Sequence, residues 1–555
     1  MLGNPTVASA SSPPQHTNTA PAPNFKTPIE STVDHRLNNL FQCQDIYPEL
    51  MEDLQKLVAS PLVTENEFPS TFLKALATSG VETKLKNCVF HLMRSKGLEK
   101  WIQEQHSGRV REPLAYIAKV QSQWEKRVLK SLNSMCMELG QSLARPRCQN
   151  EQQELITHWN DLSSMDMDLS LFRPVYSPKD FLEVLAQLHS PNQVAQVSGQ
   201  MGRPFGLVQV PLKTASLEEL MERFGEMSRA EAHLGVSPGA PSQDEPSLTL
   251  EQERQQLGLK VLEMDHAPLS QEFLKRGCPP SLRGSIWSQV LGSQALDKDV
   301  LYYNELKEAV VTTDIMLDKL IIKDVQLTVS NDDQYFVFED IIFQIMLCFS
   351  RDSEVAEIFS CGSSNPAKAM LRGRSGGAEN LVIYPPSGVI PFHGFSMFCA
   401  PFCYVYEEPA KMYFTFRAMY LRFFFRLHQV SSHPQSILGL CALFENIIQK
   451  HEPDLWIHML SCDIQPTRVV FRWIMRGFSG HFPPFQLLFL WDLVLAYDSM
   501  ELFPLLAASI LSFRKENLMR VNTMVGVETV LADLSSLPVV PLLQLALARH
   551  ANTSK

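Results

Sequence analysis

Residues 277–287 have the sequence GCPPSLRGSIW, in which two consecutive prolines precede an arginine and a tryptophan. Proline lacks an amide hydrogen and restricts the residue before it, so Pro279 and Pro280 end any helix that precedes them. Arg283 and Trp287 are four residues apart, which places them on one face of a following helix, one turn from each other. The stretch therefore predicts a boundary between two helices.

Three further segments follow in a fixed order. They are IIKDVQLT at 321–328, FHGFSM at 392–397, and FQLLFLWD at 485–492, the last preceded by the pair Arg472 and Trp473. From Leu248 to about His550 the chain is dense in apolar and aromatic residues with helical periodicity, and no run of alternating strands or internal repeat occurs. The fold class predicted is all-α, with Trp287, Trp473 and Trp491 in the core.

Composition excludes several classes of protein. The 555 residues include 49 Lys and Arg against 60 Asp and Glu, a net charge of −11, which argues against a protein that binds nucleic acid over its whole surface. The 11 cysteines include no Cys-x-x-Cys pair, which disfavours a zinc ribbon or a secreted disulfide framework. We expect reduced thiols, a cytoplasmic location and no membrane-spanning helix, because prolines and glycines interrupt the uncharged stretch 380–406.

Differences in composition and apolar periodicity divide the chain into four regions. Residues 1–35, rich in Pro, Ser, Thr and Ala, predict a disordered leader. Residues 36–188 predict a helical region, whose strongest stripe (Ile117, Val120, Trp124, Val128, Met135, Leu139) packs on neighbouring helices or, alternatively, on a coiled-coil partner. Residues 189–247 form an irregular segment and linker around a short helix at 217–227. Residues 248–550 form the main domain, which we expect to fold alone.

Signatures of simple catalysis are absent from the sequence. It contains no phosphate-binding loop, no nucleophile elbow and no His-Glu-x-x-His zinc helix. The glycine-rich stretch 373–377 lacks the strand and helix that a phosphate loop needs, and the aromatic, basic stretch 414–428 is typical of a buried helix with paired arginines. The histidines at 428, 433, 451 and 458 are interpreted as structural. We therefore predict no cofactor, no metal and no nucleic-acid partner.

The order of the four segments resembles the TBC domain of Rab GTPase-activating proteins, over about Gln271 to Asn522. The resemblance implies an all-helical domain of two subdomains, with a groove that binds a Rab GTPase in its GTP-bound form. It implies a role in vesicle trafficking, in the cytoplasm or at the periphery of endomembranes. GTP and magnesium would belong to the partner GTPase, and the N-terminal helices would contact further trafficking partners.

The same resemblance implies a pair of catalytic fingers, and both positions depart from the family pattern. An Ile-x-x-Asp-x-x-Arg motif aligns with Ile321 and Asp324 but places Leu327 at the arginine. A Tyr-x-Gln motif places Pro391 at the tyrosine and His393 at the glutamine. Leucine has neither charge nor donor, so Leu327 cannot stabilise the phosphoryl charge, whereas His393 can donate and accept. His393 is either a contact to the GTPase or a helix-cap or turn residue.

Other residues are candidates for contact with the partner. Arg372 and Arg374, in the loop before the second motif, are either surrogate cations or solvated loop residues. Arg283 and Asp324 are predicted to form a buried ion pair that braces the groove. The partner-binding set is thus Arg283, Asp324, Arg372, Arg374 and His393. Two functions remain: a GTPase-activating protein with altered fingers, or a non-catalytic binder or scaffold for GTP-bound Rab. A helical scaffold that contacts no GTPase is a third alternative.

Overall fold

The computed structural model describes residues 68–78, 80–94, 115–161, 168–188, 206–227, 232–236, 249–331, 333–359, 368–371 and 380–548, with isolated positions between 48 and 59. The chain divides into two compact units, residues 1–89 and 90–555. The predicted leader lies outside the described residues, and so do residues 189–205, 228–231 and 237–247 of the predicted irregular segment and linker.

The first unit contains helix α1 (Phe68–Thr78) and most of helix α2 (Val81–Met93). Leu76 and Val81 form a small buried cluster, against which Phe72, Leu85 and Cys88 pack. This cluster is a hydrophobic contact between α1 and α2.

The second unit contains the last residues of α2 and continues through a mainly helical chain. Before residue 249 it contains α3 (Ala115–Glu138), β1 (Ala144–Pro146), α4 (Gln149–Asp161), α5 (Pro178–Ala186) and α6 (Leu217–Arg223). The predicted short helix at 217–227 is therefore present and ends four residues earlier than expected.

Residues 249–548 form the largest part of this unit. Its elements are α7 (Leu250–Glu263), α8 (Ala267–Leu274), α9 (Pro280–Leu291), α10 (Asp297–Thr312), β2 (Thr313–Ile315), α11 (Met316–Asn331), α12 (Glu339–Arg351), α13 (Ser353–Phe359), β3 (Lys368–Leu371), β4 (Asn380–Ile383), α14 (Pro409–Arg422), α15 (Ile437–His451), α16 (Pro453–Ser461), α17 (Pro466–Met475), α18 (Pro484–Tyr497), α19 (Leu502–Phe513), α20 (Lys515–Leu518), α21 (Met524–Val530) and α22 (Val539–Ala548). Short 3₁₀ helices occur at Phe336–Phe338, Phe395–Phe398, Ala400–Tyr404 and Phe424–His428. The all-α prediction is confirmed; the division into two subdomains stays a prediction.

Local sequence explains where many of these helices begin. Proline occupies the first helical turn of α9, α16, α17 and α18, where its missing N–H costs no hydrogen bond. Ser177, Ser216 and Thr249 each form a capping box with the residue three positions on. As predicted, Pro280 begins a new helix after α8 ends at Leu274.

The core of the second unit is aromatic and continuous. Trp287 and Trp491 are fully buried with ring centroids 6.5 Å apart, and Phe402 packs against both rings. Trp473 is 5% exposed, so the prediction that these three tryptophans lie in the core is confirmed.

Residues before 249 share this core. In α3, Ile117, Trp124, Val128 and Met135 are buried, and the Trp124 ring lies 5.1 Å from Tyr176 and 5.4 Å from Phe181. Phe181 in turn packs against Phe471 of α17 at 6.5 Å. The predicted apolar stripe of α3 therefore packs within this chain.

Backbone pairing joins the same two parts of the chain. Strand β1 pairs antiparallel with β2, directly before α11, and Arg147 donates to Asp318 at 2.6 Å. The carboxylate of Asp318 also binds Arg351, which is buried. The boundary at residue 248 and the independent folding of 248–550 stay predictions, and the contacts above argue that the earlier residues contribute to stability.

Within the described residues, none of the helices combines the length and the apolar composition that crossing a membrane requires.

The packing of α3 predicts the effect of truncating its tryptophan. Trp124→Ala removes a ring that is 6% exposed, and we expect it to lower the free energy of unfolding by about 3–5 kcal/mol. The control is Met137→Ala in the same helix, where the side chain is 79% exposed and no measurable change is expected. Urea denaturation of the full chain measures both. Equal midpoints for the two variants would show that α3 does not share the core.

Candidate functional site

The structure brings the two predicted finger positions together. Leu327 of α11 and His393, in the turn before the 3₁₀ helix Phe395–Phe398, line one small cleft. Its other walls include Pro174, Lys323, Asp324 and Pro391. This group of residues is called the finger cleft below. Its existence shows that the two motif positions lie side by side, although 66 residues separate them in the sequence.

Asp324 holds the two walls of the finger cleft together. Its carboxylate accepts hydrogen bonds from the backbone N–H of Gly394 and, at 2.8 Å, from that of Ser396. It also accepts from the Ser396 hydroxyl at 2.7 Å. Asp324 is only 8% exposed, and these three donors replace the hydrogen bonds to water that its carboxylate loses on burial.

Gly394 is required by this geometry. Its φ of 92° lies in the left-handed region, and an added Cβ would lie 2.0 Å from Nη2 of Arg476. Arg476 uses the space that glycine leaves and donates to the carbonyl of His393 at 3.1 Å. The turn thus presents its amides inward to Asp324 and the His393 side chain outward.

His393 is hydrogen-bonded through its backbone, and its ring lies in the finger cleft beside Asp324. Its N–H donates to the carbonyl of Tyr176 at 3.0 Å, and its side chain is 40% exposed. Nδ1 lies 3.9 Å from a carboxylate oxygen of Asp324, beyond hydrogen-bond distance. His393 thus lies in a turn, and its contact with a partner stays a prediction.

Leu327 supplies only aliphatic surface to the finger cleft, and Lys323 supplies the nearest cation along the same helix face. Lys323 lies four residues before Leu327, and its Nζ donates to the carbonyls of Phe172 and, at 3.0 Å, Leu169. Lys323 was not among the predicted site residues, although its position four residues before Leu327 was a signal available in the sequence.

The wall beside His393 is cationic. Arg472 is exposed on α17. Burial lowers the pKa of the neighbouring Arg476; the charge of Asp324 opposes this shift, and the charge of Arg472 adds to it. Burial, followed by the charges of Arg476 and Arg472, lowers the pKa of His481 to about 3. His481 is therefore neutral near pH 7, and the positive charge of this wall belongs to the two arginines.

The predicted ion pair between Arg283 and Asp324 is wrong. Arg283 pairs with Asp492 of α18 at 2.9 Å, and Nε1 of Trp287 donates to the same carboxylate at 2.7 Å. The reason is that Arg283 and Trp287 share one face of α9 and both point at Asp492, which is fully buried. Arg283 is 4% exposed, so its side chain braces the core, and its assignment as a partner contact stays a prediction.

The remaining candidates are placed as follows. Arg372 and Arg374 lie outside the described residues. In the aromatic helix α14, Arg417 pairs with Asp352 at 2.9 Å and Arg422 with Asp498 at 2.8 Å, which confirms the prediction of a buried helix with paired arginines. In the part of the chain that is described, no group of three or more His, Cys, Asp and Glu side chains is placed to hold a metal ion.

Comparison with known proteins gives three findings. A family model described as the Rab-GTPase-TBC domain matches residues 392–519. The chain is 44% identical over 505 residues to TBC1 domain family member 19 of Homo sapiens, an alignment that covers 91% of this chain and 95% of that protein. The crystal structure of a Chlamydomonas flagellar RabGAP TBC domain matches 58% of this chain and 99% of its own, at 14% identity and a TM-score of 0.37. His393 lies inside the residues matched by the family model, and Leu327 lies before them.

The contacts of Asp324 predict a loss of stability on its removal. Asp324→Ala leaves two backbone N–H groups without their acceptor and removes one partner of the Ser396 hydroxyl, and we expect the free energy of unfolding to fall by about 2–4 kcal/mol. Asp333→Ala, at an exposed position just after α11, is the control and should unfold like the wild type. Urea denaturation followed by tryptophan fluorescence distinguishes them. Wild-type behaviour of Asp324→Ala would show that this carboxylate holds nothing together.

The neutral state of His481 predicts a dependence of stability on pH. Its pKa is lowered from 6.5 to about 3 in the folded protein, so the unfolded chain binds more protons between these values. The stabilisation is therefore fully present above pH 6.5 and is lost as the pH falls. Between pH 7 and pH 5, protonation of His481 in the unfolded chain lowers the free energy of unfolding by about 2 kcal/mol.

His481→Gln abolishes that titration. Between pH 7 and pH 5, the free energy of unfolding of this variant should therefore fall by about 2 kcal/mol less than that of the wild type. Urea denaturation at pH 5, 6 and 7 measures the difference. Identical pH dependence in the two proteins would contradict the assignment of a neutral imidazole to His481 in the folded protein.

Proposed function

The chain belongs to the family of proteins with a Rab-GTPase-TBC domain, and on that premise we propose that it binds a Rab GTPase in its GTP-bound form through the finger cleft. The observation that supports this proposal is the convergence of Leu327 and His393, the two finger positions of the family, in one partly exposed cleft. GTP and magnesium enter the site with the GTPase.

The chemistry of these two residues favours binding over catalysis. In GTP hydrolysis a cation must meet the charge that develops on the phosphoryl oxygens, and an amide or similar group must orient the attacking water. Leu327 carries neither charge nor donor. The imidazole of His393 carries two ring nitrogens that can take part in hydrogen bonds, so it retains at most half of the paired function. We therefore propose a regulator that holds GTP-bound Rab and leaves its hydrolysis near the intrinsic rate.

The alternative, a GTPase-activating protein with a surrogate cation, requires another positive group in the cleft. Lys323 lines the cleft, but its ammonium is already bound by two carbonyls. Arg372 and Arg374 are the other candidates.

Because the chain belongs to this family and its proposed partner is a Rab GTPase, we also propose that it acts in vesicle trafficking. It would act in the cytoplasm and at endomembrane surfaces that it reaches through partners.

Restoring the family residues tests the proposal. A panel of Rab GTPases is first screened for binding to the full chain in GTP-analogue and GDP states, and the GTPase that binds is used in single-turnover hydrolysis. We expect hydrolysis near the intrinsic rate with wild type. Leu327→Arg with His393→Gln should raise the rate by up to about a thousand-fold while changing the Kd little, since these groups act on the transition state.

The matched control is Ser330→Arg, which adds the same charge at an exposed position three residues further along the same helix. It should not change the rate of hydrolysis. Strong activation by the wild type would contradict the binder proposal and would direct attention to Arg372 and Arg374, through their alanine variants. Failure of every GTP-loaded Rab in the panel to bind would contradict the proposal as a whole.

A further inference from the structure

A segment outside the family domain forms one edge of the finger cleft. Residues 168–176, called the strap, run between α4 and α5. Leu169, Phe172 and Tyr176 are buried at 6%, 8% and 6% exposure, whereas Ser170, Leu171, Arg173 and Pro174 are exposed. The strap therefore has one face in the core and another in solvent.

The strap is attached to the residues that carry the finger positions. Nζ of Lys323, one turn before Leu327, donates to the carbonyls of Leu169 and Phe172. The N–H of His393 donates to the carbonyl of Tyr176 at 3.0 Å, and the ring of Tyr176 lies 5.9 Å from that of Phe392. Each wall of the cleft thus binds the backbone of the strap, and Pro174 lines the cleft itself.

These anchors fix the strap in place. Freeing it would expose three apolar side chains and would leave the ammonium of Lys323 and the amide of His393 without the carbonyls that they bind. Each buried aliphatic or aromatic side chain contributes about 1.5–3 kcal/mol on burial, so the strap is a permanent edge of the cleft rather than a removable cover.

The exposed side chains of the strap are available for contact. Leu171, at the apex of the turn, is 73% exposed. Arg173, directly before Pro174, pairs with Glu138 of α3 at 2.9 Å, and both side chains are at least half exposed. An exposed pair of this kind contributes about 0–1 kcal/mol, so Arg173 exchanges Glu138 for a partner's carboxylate at little cost.

We propose that the strap is part of the surface that docks the GTPase, with Leu171 and Arg173 as determinants of which GTPase binds. This inference rests on the function proposed above. The occupant is the same GTPase that enters the finger cleft, because the strap continues that surface without a gap at Pro174. Its matching surface presents an apolar side chain to Leu171 and a carboxylate to Arg173. The N-terminal region thereby contributes to the choice of GTPase.

The test is Leu171→Asp with Arg173→Glu in the full chain, measured as the Kd for the GTP-loaded GTPase identified in the panel. We expect the Kd to rise at least about ten-fold with an unchanged urea midpoint, because both changed side chains are exposed. The matched control is Leu301→Asp with Lys298→Glu, two exposed residues of α10 that make the same change in net charge. The control should bind within two-fold of wild type.

Each other outcome overturns the inference. An unchanged Kd would show that the strap lies outside the docking surface. An equal loss of affinity in the control would show that the effect comes from net charge alone. Tighter binding by the strap variant would show that the strap obstructs the GTPase. Absence of binding by the wild type itself would refute the proposed function, and the inference with it, so the two failures are distinguishable.

Discussion

The carboxylate of Asp324 is the interaction on which the candidate site depends. Helix α11 supplies the carboxylate, and the turn at 393–396 supplies three donors to it, so one side chain fixes the distance between the two motif positions. The turn can present those donors because Gly394 adopts a left-handed conformation with Arg476 packed against it. A site that binds a GTPase across both motifs needs this spacing to be rigid, and a buried, fully bonded carboxylate provides that rigidity.

A second constraint comes from the N-terminal region. Strand pairing of β1 with β2, the ion pair of Arg147 with Asp318, and the two carbonyls bound by Lys323 all attach this region to the same stretch of chain, from β2 through α11. The helix that carries Leu327 is thereby supported from outside the domain that the family resemblance covers. The cleft beside Leu327 therefore keeps its shape partly through contacts that the N-terminal region supplies.

Much of the fold could be predicted from the sequence because it depends on short-range patterns. The prolines before α9, the apolar stripe of α3 and the tryptophans of the core are local signals of helix boundaries and burial. The order of the motifs predicted that Leu327 and His393 occupy the two finger positions of one site. The partner of Arg283 could not be predicted, because Asp492 lies 209 residues away and nothing local distinguishes it from Asp324. The strap was missed because its burial alternates irregularly, and its anchors are backbone carbonyls, which leave no mark in the sequence.

Hydrogen–deuterium exchange of the full chain, with and without a saturating GTP-loaded GTPase, tests most directly whether the finger cleft is the docking surface. The account predicts slower exchange on binding at residues 168–176, at the C-terminal half of α11 and at residues 391–397, with little change in α16. Protection that leaves these three segments unchanged and falls instead on another surface, such as α1 and α2, would contradict it.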